Sequence, residues 1–202
     1  MAAPEPSPSA AATLIVSHVH RSAQPSQSHV AAIRVRPAGP DDAAKLAALG
    51  ARLFEQAFGA DSRADDLAAH LASTFGPEIQ RRELENPECA YFIADASGGA
   101  VGYALLRRRT PPPCVVGPDP LELGRIYVDR EHHGSGAAPA LMHALLAEAR
   151  ARGGGTLWLG VWGVNRRAVG FYEKFGFRDV GTHTFWFGSD PQTDQVMVLD
   201  LR

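Results

Sequence analysis

No stretch of this chain approaches the roughly 20 consecutive apolar residues that a membrane-spanning helix needs. Cysteine is scarce as well. Cys89 and Cys114 cannot make a disulfide framework, so the expected setting is reduced and cytoplasmic, and each thiol reads as a small strand or loop residue. Neither sign of charge dominates: 20 Lys and Arg stand against 22 Asp and Glu, a net charge of −2. No basic run points to a nucleic-acid partner beyond Arg107-Arg108-Arg109, which reads as the end of an exposed strand. There is no internal repeat and no G-x-x-x-x-G-K-[ST] phosphate loop. What remains is a chain of 202 residues, one domain by size and large enough for a proper core.

Residues 1–30 are rich in Ala, Pro and Ser, and Glu5 is their only acid. They read as a disordered extension ahead of a domain spanning 31–202, with His18, His20 and His29 solvated rather than ligating a metal. Thr13–Val16 is too short for the apolar core of a signal peptide. Past residue 30 the pattern gives a strand over 33–36, then a helix opened by Pro40-Asp41. That helix carries Ala44, Leu46, Ala47, Leu49, Leu53, Phe54 and Phe58. Helices over 63–75 and 77–86 follow, the second stopped by Asn86-Pro87. Strands over 91–95 and 101–107 flank Ser97-Gly98-Gly99, a hairpin signal, and a Pro-rich loop covers 110–120. Two last strands are expected over 177–187 and 194–201.

The most informative stretch runs from Leu121 to Gly153, where a strand leads through a glycine-containing loop into an amphipathic helix. Leu121 and Leu123 are apolar at odd positions, whereas Ile126 and Val128 are apolar at even ones. Side chains alternate strictly along a regular strand, so the apolar phase slips between 123 and 126. One extra residue repairs it, and Gly124 suits such a bulge; a plain kink between two short runs is the alternative. Ala138, Leu141, Met142, Leu145, Leu146 and Ala149 then mark one helix face. Pro139 falls in the first turn, where its missing N–H costs little, and Gly153–Gly155 end the helix. The free N–H groups and positive dipole end of such a helix suit an anionic phosphate ligand. A Rossmann loop is excluded, because five residues separate Val128 from Gly134 and Pro139 stands where the third glycine would be.

A second block begins with the apolar strand Thr156–Val161 and continues as NRRAVGFYEKFGF from Asn165. Asn165 is a natural N-cap. Phe171 and Phe175 sit one turn apart and read as the buried side, while Asn165, Ala168 and Tyr172 share another stripe. With both blocks in place, residues 33–201 resemble the GNAT superfamily of acyl-CoA N-acyltransferases. His133-Gly134-Ser135-Gly136-Ala137-Ala138 is similar to that family's [QR]-x-x-G-x-[GA] pyrophosphate loop, with His133 where the family has Gln or Arg. Asn165-x-x-Ala168-x-x-Phe171-Tyr172-Glu173-Lys174-x-Gly176-Phe177 resembles the helix after its fifth strand. LELGRIYV, LWLGVWGVN and the ending FWFGSDPQTDQVM look most like the PaiA-type spermidine/spermine N-acetyltransferases, the N-terminal half much less so.

The resemblance implies an α/β fold: a mixed, mostly antiparallel sheet of about seven strands, flanked by helices and splayed between the fourth and fifth. It implies acetyl-CoA as acyl donor, no metal, and a small amine such as a polyamine as acceptor; another amine, such as a peptide N-terminus or an aminated small molecule, and a non-catalytic acetyl-CoA-binding module are the alternatives. Partners would then be small molecules, with neither nucleic acid nor membrane, and a homodimer is compatible with it. Tyr172 would be the acid that protonates the leaving thiolate, although a packing aromatic is the alternative. Glu122 would take the proton of the amine, or bind a polycation electrostatically with acids such as Glu55 or Asp61, or be a solvated strand carboxylate. Ile126, Tyr127 and Val128 would contact pantetheine, the Val128 N–H serving the oxyanion. His133, Gly134, Ser135, Gly136, Ala137 and Ala138 would hold the pyrophosphate, with Asn165 and Arg167 as further CoA contacts and Arg166 near the phosphates. Asn165 as a cap alone, and the arginines as solvated helix residues, are the plainer readings. His132 beside His133 would need further ligands to hold a metal, and none is evident.

Overall fold

The computed structural model describes residues 32–60, 62–187 and 190–202. The extension expected at 1–30, with its three histidines, and Asp61 lie outside the described residues. The chain forms β1 (Arg34–Pro37), α1 (Ala43–Phe58), α2 (Ala64–Thr74), α3 (Pro77–Glu85), β2 (Cys89–Ala96), β3 (Gly99–Arg107) and β4 (Pro120–Val128). It continues with α4 (Ala137–Ala151), β5 (Thr156–Trp162), α5 (Arg166–Lys174), β6 (Arg178–Phe187) and β7 (Asp190–Asp200). The strands make one seven-stranded sheet in the order β1-β2-β3-β4-β5-β7-β6. Every neighbouring pair is antiparallel except β4 and β5, which are parallel.

The slip in apolar phase is a bulge. Leu105 faces Arg125 and the next residue, Leu106, faces Leu123, so Gly124 is the extra residue of β4. The bulge keeps Leu121, Leu123, Ile126 and Val128 on one face, packed with Leu141, Met142 and Leu145 of α4 and Tyr172 of α5. The opposite face carries Tyr103, Leu105 and Tyr127 against Leu46, Leu49, Leu53 and Phe54 of α1. Further across that same face, Trp158, Val196 and Val198 pack under Val115 from the long loop before β4. α2 and α3 lie beside α1, and α3 packs on β2.

β4 and β5 stay together for only three steps: Pro120–Thr156, Leu121–Leu157 and Glu122–Trp158. Beyond Glu122 the two strands part, and each keeps only its outer neighbour, β3 or β7. The expected splay is therefore present, and its start is fixed by residue.

Three expectations about packing need correction. Ala44 is exposed, and the buried face of α1 is completed by Ala43 and Gly50 instead. The buried stripe of α5 is Ala168, Val169 and Tyr172, while Phe171 and Phe175 are half-buried. The helix lays its tyrosine against the sheet and turns Phe175 sideways onto His143 of α4, 5.4 Å away between ring centroids. Arg107 does not end an exposed strand: β3 is buried along most of its length, and Arg107 is tied down by a carboxylate on β4.

Candidate active site

The opening between β4 and β5 is lined by backbone. Asp129 donates its N–H to the Val101 carbonyl of β3 at 2.7 Å. Backbone groups alternate in direction along a strand, so the N–H and carbonyl of Val128 face the other way, into the opening. The His133 side chain turns back to this point, with Nε2 3.0 Å from the Val128 carbonyl oxygen. A carbonyl only accepts, so Nε2 carries the hydrogen. Burial lowers the His133 pKa below the ordinary imidazole value, which leaves the ring neutral at pH 7 with the proton on Nε2. His133 thus occupies one backbone acceptor of the opening and leaves the Val128 N–H aimed into it.

Next comes the glycine loop. A short turn, Arg130–His132, leads into it, and α4 starts after Gly136. Gly134 and Gly136 have φ of 82° and 90°, a left-handed backbone that side chains disfavour, and nothing lies within 4 Å of where a Cβ would sit on either. The loop therefore presents bare backbone to open space. The Ala137 N–H makes only a long contact, 3.4 Å, to Ser135 Oγ, and Pro139 removes one donor from the first turn of α4. The N-terminal N–H groups and dipole of a 15-residue helix face the same space.

That space is a cleft of about 440 Å³. The Gly134–Pro139 stretch forms one wall and α5 the other, with Arg166, Arg167 and Lys174. His132 and the neutral His133 lie beside these three cations, and no carboxylate among the described residues lines the cleft. Such a lining suits a polyanion. Val128 belongs both to the cleft and to the strand opening, so the two are continuous.

At α5, the Asn165 side chain accepts the Ala168 N–H at 3.0 Å and caps the helix as expected. Tyr172 is fully buried, with Phe171 and Phe177 set edge-on at 5.5 and 5.6 Å. It is a core residue at the foot of the cleft wall.

On the α1 side of the sheet, Glu122 is nearly as buried, at 3 % exposure. Arg107 grips both of its oxygens, Nε at 2.5 Å and Nη2 at 3.1 Å. Gly124 allows this grip, because a Cβ there would lie 3.1 Å from Arg107 Nε. Glu122 is thus neither solvated nor an isolated negative charge. Two further carboxylates around α1 are also held by arginine: Glu83 by Arg125 at 2.9 Å, and Asp129 by Arg52.

One acid does not follow this pattern, and sequence reasoning missed it. Asp194 of β7 is 1 % exposed, and its Oδ2 has no hydrogen-bond partner among the described residues. Burial pushes its pKa up to about 7. The signal was present: Asp194, Val196 and Val198 alternate on one strand face, and an acid in register with two buried valines is an exception to the pattern. Among the described residues no group of three or more His, Cys, Asp or Glu is placed to hold a metal. Cys89 and Cys114 are both free, and no described helix is long and apolar enough to cross a membrane.

A parted parallel strand pair beside a cationic cleft at a helix N-terminus is the architecture of an acyltransferase. The chain belongs to the Acetyltransferase (GNAT) family, whose model matches residues 53–177, from α1 to the start of β6. It is 38% identical over 161 residues to an uncharacterised N-acetyltransferase of Mycobacterium tuberculosis (strain ATCC 25618 / H37Rv), covering 79% of this chain and 98% of the relative. The N-alpha-acetyltransferase RimI of the same strain is 34% identical over 122 residues, 58% of this chain and 72% of that one. Among solved structures, the PaiA N-acetyltransferase of Thermoplasma acidophilum in complex with coenzyme A has the same fold. Its TM-score is 0.69 at 18% identity, over 84% of this chain and 99% of that one.

The Arg107–Glu122 pair makes a testable statement about stability. Removing one partner of a buried ion pair strands the other and costs about 3–5 kcal/mol. Arg107→Met is expected to lose about that much in urea unfolding. Adding Glu122→Gln should recover most of the loss, and a double-mutant cycle measures the coupling. A single variant as stable as wild type would mean that the pair is not formed in solution.

Proposed function

We propose that the protein transfers an acetyl group from acetyl-CoA to a primary amine in a ternary complex. The observation that carries this is the continuity of the cationic cleft with the β4/β5 opening. The pyrophosphate of CoA suits the Gly134–Ala138 backbone and the α4 N-terminus, with Arg166 and Arg167 of α5 as counter-charges. The pantetheine arm suits the unpaired edge of β4 at Ile126–Val128. His133 supports that edge by holding the Val128 carbonyl, and the Val128 N–H is the donor for the negative charge that develops on the thioester oxygen. Acetyl-CoA supplies the activated acyl group.

In this reading Tyr172 protonates the departing thiolate. Its phenol comes from the α5 stripe that faces the sheet, below the same cleft. Glu122, with both oxygens on Arg107, acts as a fixed acceptor that orients the amine.

A polyamine remains the finer proposal for the acceptor, supported by the likeness of FWFGSDPQTDQVM to PaiA-type enzymes and by the shared fold with PaiA. A peptide N-terminus is the second reading, supported by 34% identity to RimI. It is favoured by the Arg107 partner of Glu122, which cancels the charge a polycation would seek. A panel of spermidine, spermine, short peptides and monoamines with acetyl-CoA, read as thiol release, tests both. Saturable turnover of spermidine alone selects the polyamine. Turnover of peptides alone selects the N-terminus, and acetyl-CoA binding without turnover of any amine removes the enzymatic reading.

Two substitutions test the site. Gly136→Asp puts a side chain and a negative charge into the phosphate wall, so the apparent KM for acetyl-CoA should rise at least tenfold while kcat changes little. An unchanged KM in a folded variant would reject this loop as the phosphate site. Tyr172→Phe keeps the ring and removes the proton. A general acid contributes about 10²–10⁴-fold, so kcat should fall by about that factor with little change in acetyl-CoA affinity. A kcat within about twofold of wild type would make Tyr172 a packing residue only.

A further inference from the structure

We propose that Asp194, packed beside His183 over Gly160 on the β5 lip of the opening, takes the proton that the acceptor amine must lose before it attacks, in place of Glu122. The proposal rests on the acetyl-transfer reading above and adds to it the acid–base group on the acceptor side.

Three placements carry it. The strands part just after the Glu122–Trp158 step, and Gly160 lies two residues further along β5, on the lip of the opening. Side chains alternate, so Gly160 shares a face with Trp158, and its missing side chain leaves the room that His183 fills. A Cβ on Gly160 would lie 2.7 Å from His183 Nε2 and 3.4 Å from Asp194 Oδ2, so the two side chains pack directly over Gly160 from β6 and β7. On the opposite lip stands Tyr127 of β4, whose phenol is raised to a pKa above its usual range by burial, with the Asp194 charge adding to the effect. Asp194 therefore borders the opening from the face on which α1 and Glu122 also lie.

Second, the other acid on this face is committed elsewhere. Both oxygens of Glu122 accept from Arg107. Asp194 Oδ2 is buried and accepts from nothing among the described residues. A buried polar atom without a partner is rare and costly, and such atoms collect where a ligand supplies the partner. An ammonium supplies N–H donors of the right sign.

Third, the chemistry matches. A primary alkylamine holds its proton with a pKa near 10, and an ordinary carboxylate near 4 is a poor acceptor for it. Burial raises Asp194 to about 7, which halves that gap. The titratable groups that interact with Asp194 are His183 on β6 and Tyr127 on β4, and His183 in turn senses the charges of Glu122 on β4 and Arg109 on the loop after β3. Burial is what raises Asp194, burial also lowers His183, and Arg107 is paired with Glu122.

The step balances. The ammonium gives one proton to the Asp194 carboxylate and becomes a neutral amine. Its lone pair forms the C–N bond as the C–S bond breaks, and the second nitrogen proton balances the one that the thiolate receives. Asp194 then returns its proton to solvent past His183, whose Nε2 is 3.9 Å from Oδ2 and whose side chain is 26% exposed, a distance that one water spans.

The test compares pH profiles of kcat/KM for wild type, Asp194→Asn and Glu122→Gln, using acetyl-CoA and whichever panel amine turns over. Wild type should lose activity below a bend near pH 7. Asp194→Asn should fall by about 10²-fold or more and lose that bend, while Glu122→Gln keeps it. An Asp194→Asn variant with the wild-type profile, or a Glu122→Gln variant that alone loses the bend, overturns the proposal and leaves the acetyl-transfer reading standing. Folding is followed separately. A carboxyl whose folded pKa exceeds its unfolded value holds extra protons in the native state, so wild-type stability declines as pH rises from about 4 to about 7. Asp194→Asn should flatten that decline and stay folded. If no amine turns over, the acetyl-transfer reading fails on its own terms, and a carbon-13 titration of the Asp194 carboxyl in the full chain still decides. A midpoint near 7 supports a proton acceptor here, and one below 5 overturns it.

Discussion

The separation of β4 from β5 is the constraint on which the rest of this structure depends. A sheet gains by continuous pairing, and unpaired backbone groups away from water are costly. This sheet nevertheless gives up its central ladder after three steps. Separate cores on the two faces hold the halves in place: α4 and α5 bind one face of both halves, while α1 and the loop around Val115 pack the other face on either side of the gap. The bulge at Gly124 keeps β4 in register with both cores while its free edge turns toward the gap. In the proposed function, the groups left without a ladder partner form the recognition surface of the site.

Charge is sorted across the same gap. The cleft between α4 and α5 collects Arg166, Arg167 and Lys174, and among the described residues no carboxylate lines it. On the α1 side, arginine meets carboxylate in fixed pairs, Arg107 with Glu122, Arg125 with Glu83 and Arg52 with Asp129. Such pairs add little net stability over apolar packing but fix geometry, since each guanidinium fork holds its carboxylate in one orientation. Against that background Asp194 is conspicuous as a buried acid with an unmatched oxygen.

Where the sequence carried a period or a motif, it was legible. The phase slip in LELGRIYV located the bulge at Gly124, the glycine loop located the cleft, and Asn165 located a helix cap. The errors arose where tertiary packing chose between two plausible faces. Phe171 and Phe175 looked like the inner side of α5 by size, yet the tyrosine stripe lies inward because α4 offers the phenylalanines a lateral seat at His143. Pairings between distant residues left no local trace. Nothing near Glu122 announces Arg107, fifteen positions earlier, and nothing near Gly160 announces His183 and Asp194. An acid in phase with buried valines was visible at Asp194, and it takes the strand assignment to see it as an anomaly.

The narrow parallel junction also bears on how the chain comes together in time. Whereas β1 reaches β2 only across α1–α3, strands β2 to β4 follow one another in space as they do in sequence, so their pairings join near neighbours. Such pairings form quickly, because little loop entropy is lost in closing them. The face that α4 and α5 will cover has no partner until those helices and β5 are made. A nascent chain halted after residue 128 would therefore carry four strands with one apolar face bare, including Leu121, Leu123, Ile126 and Val128, and a free β4 edge beside it. During synthesis that half-built state is a template for unwanted strand addition. The short interval before α4 emerges is thus when this fold has most need of a chaperone.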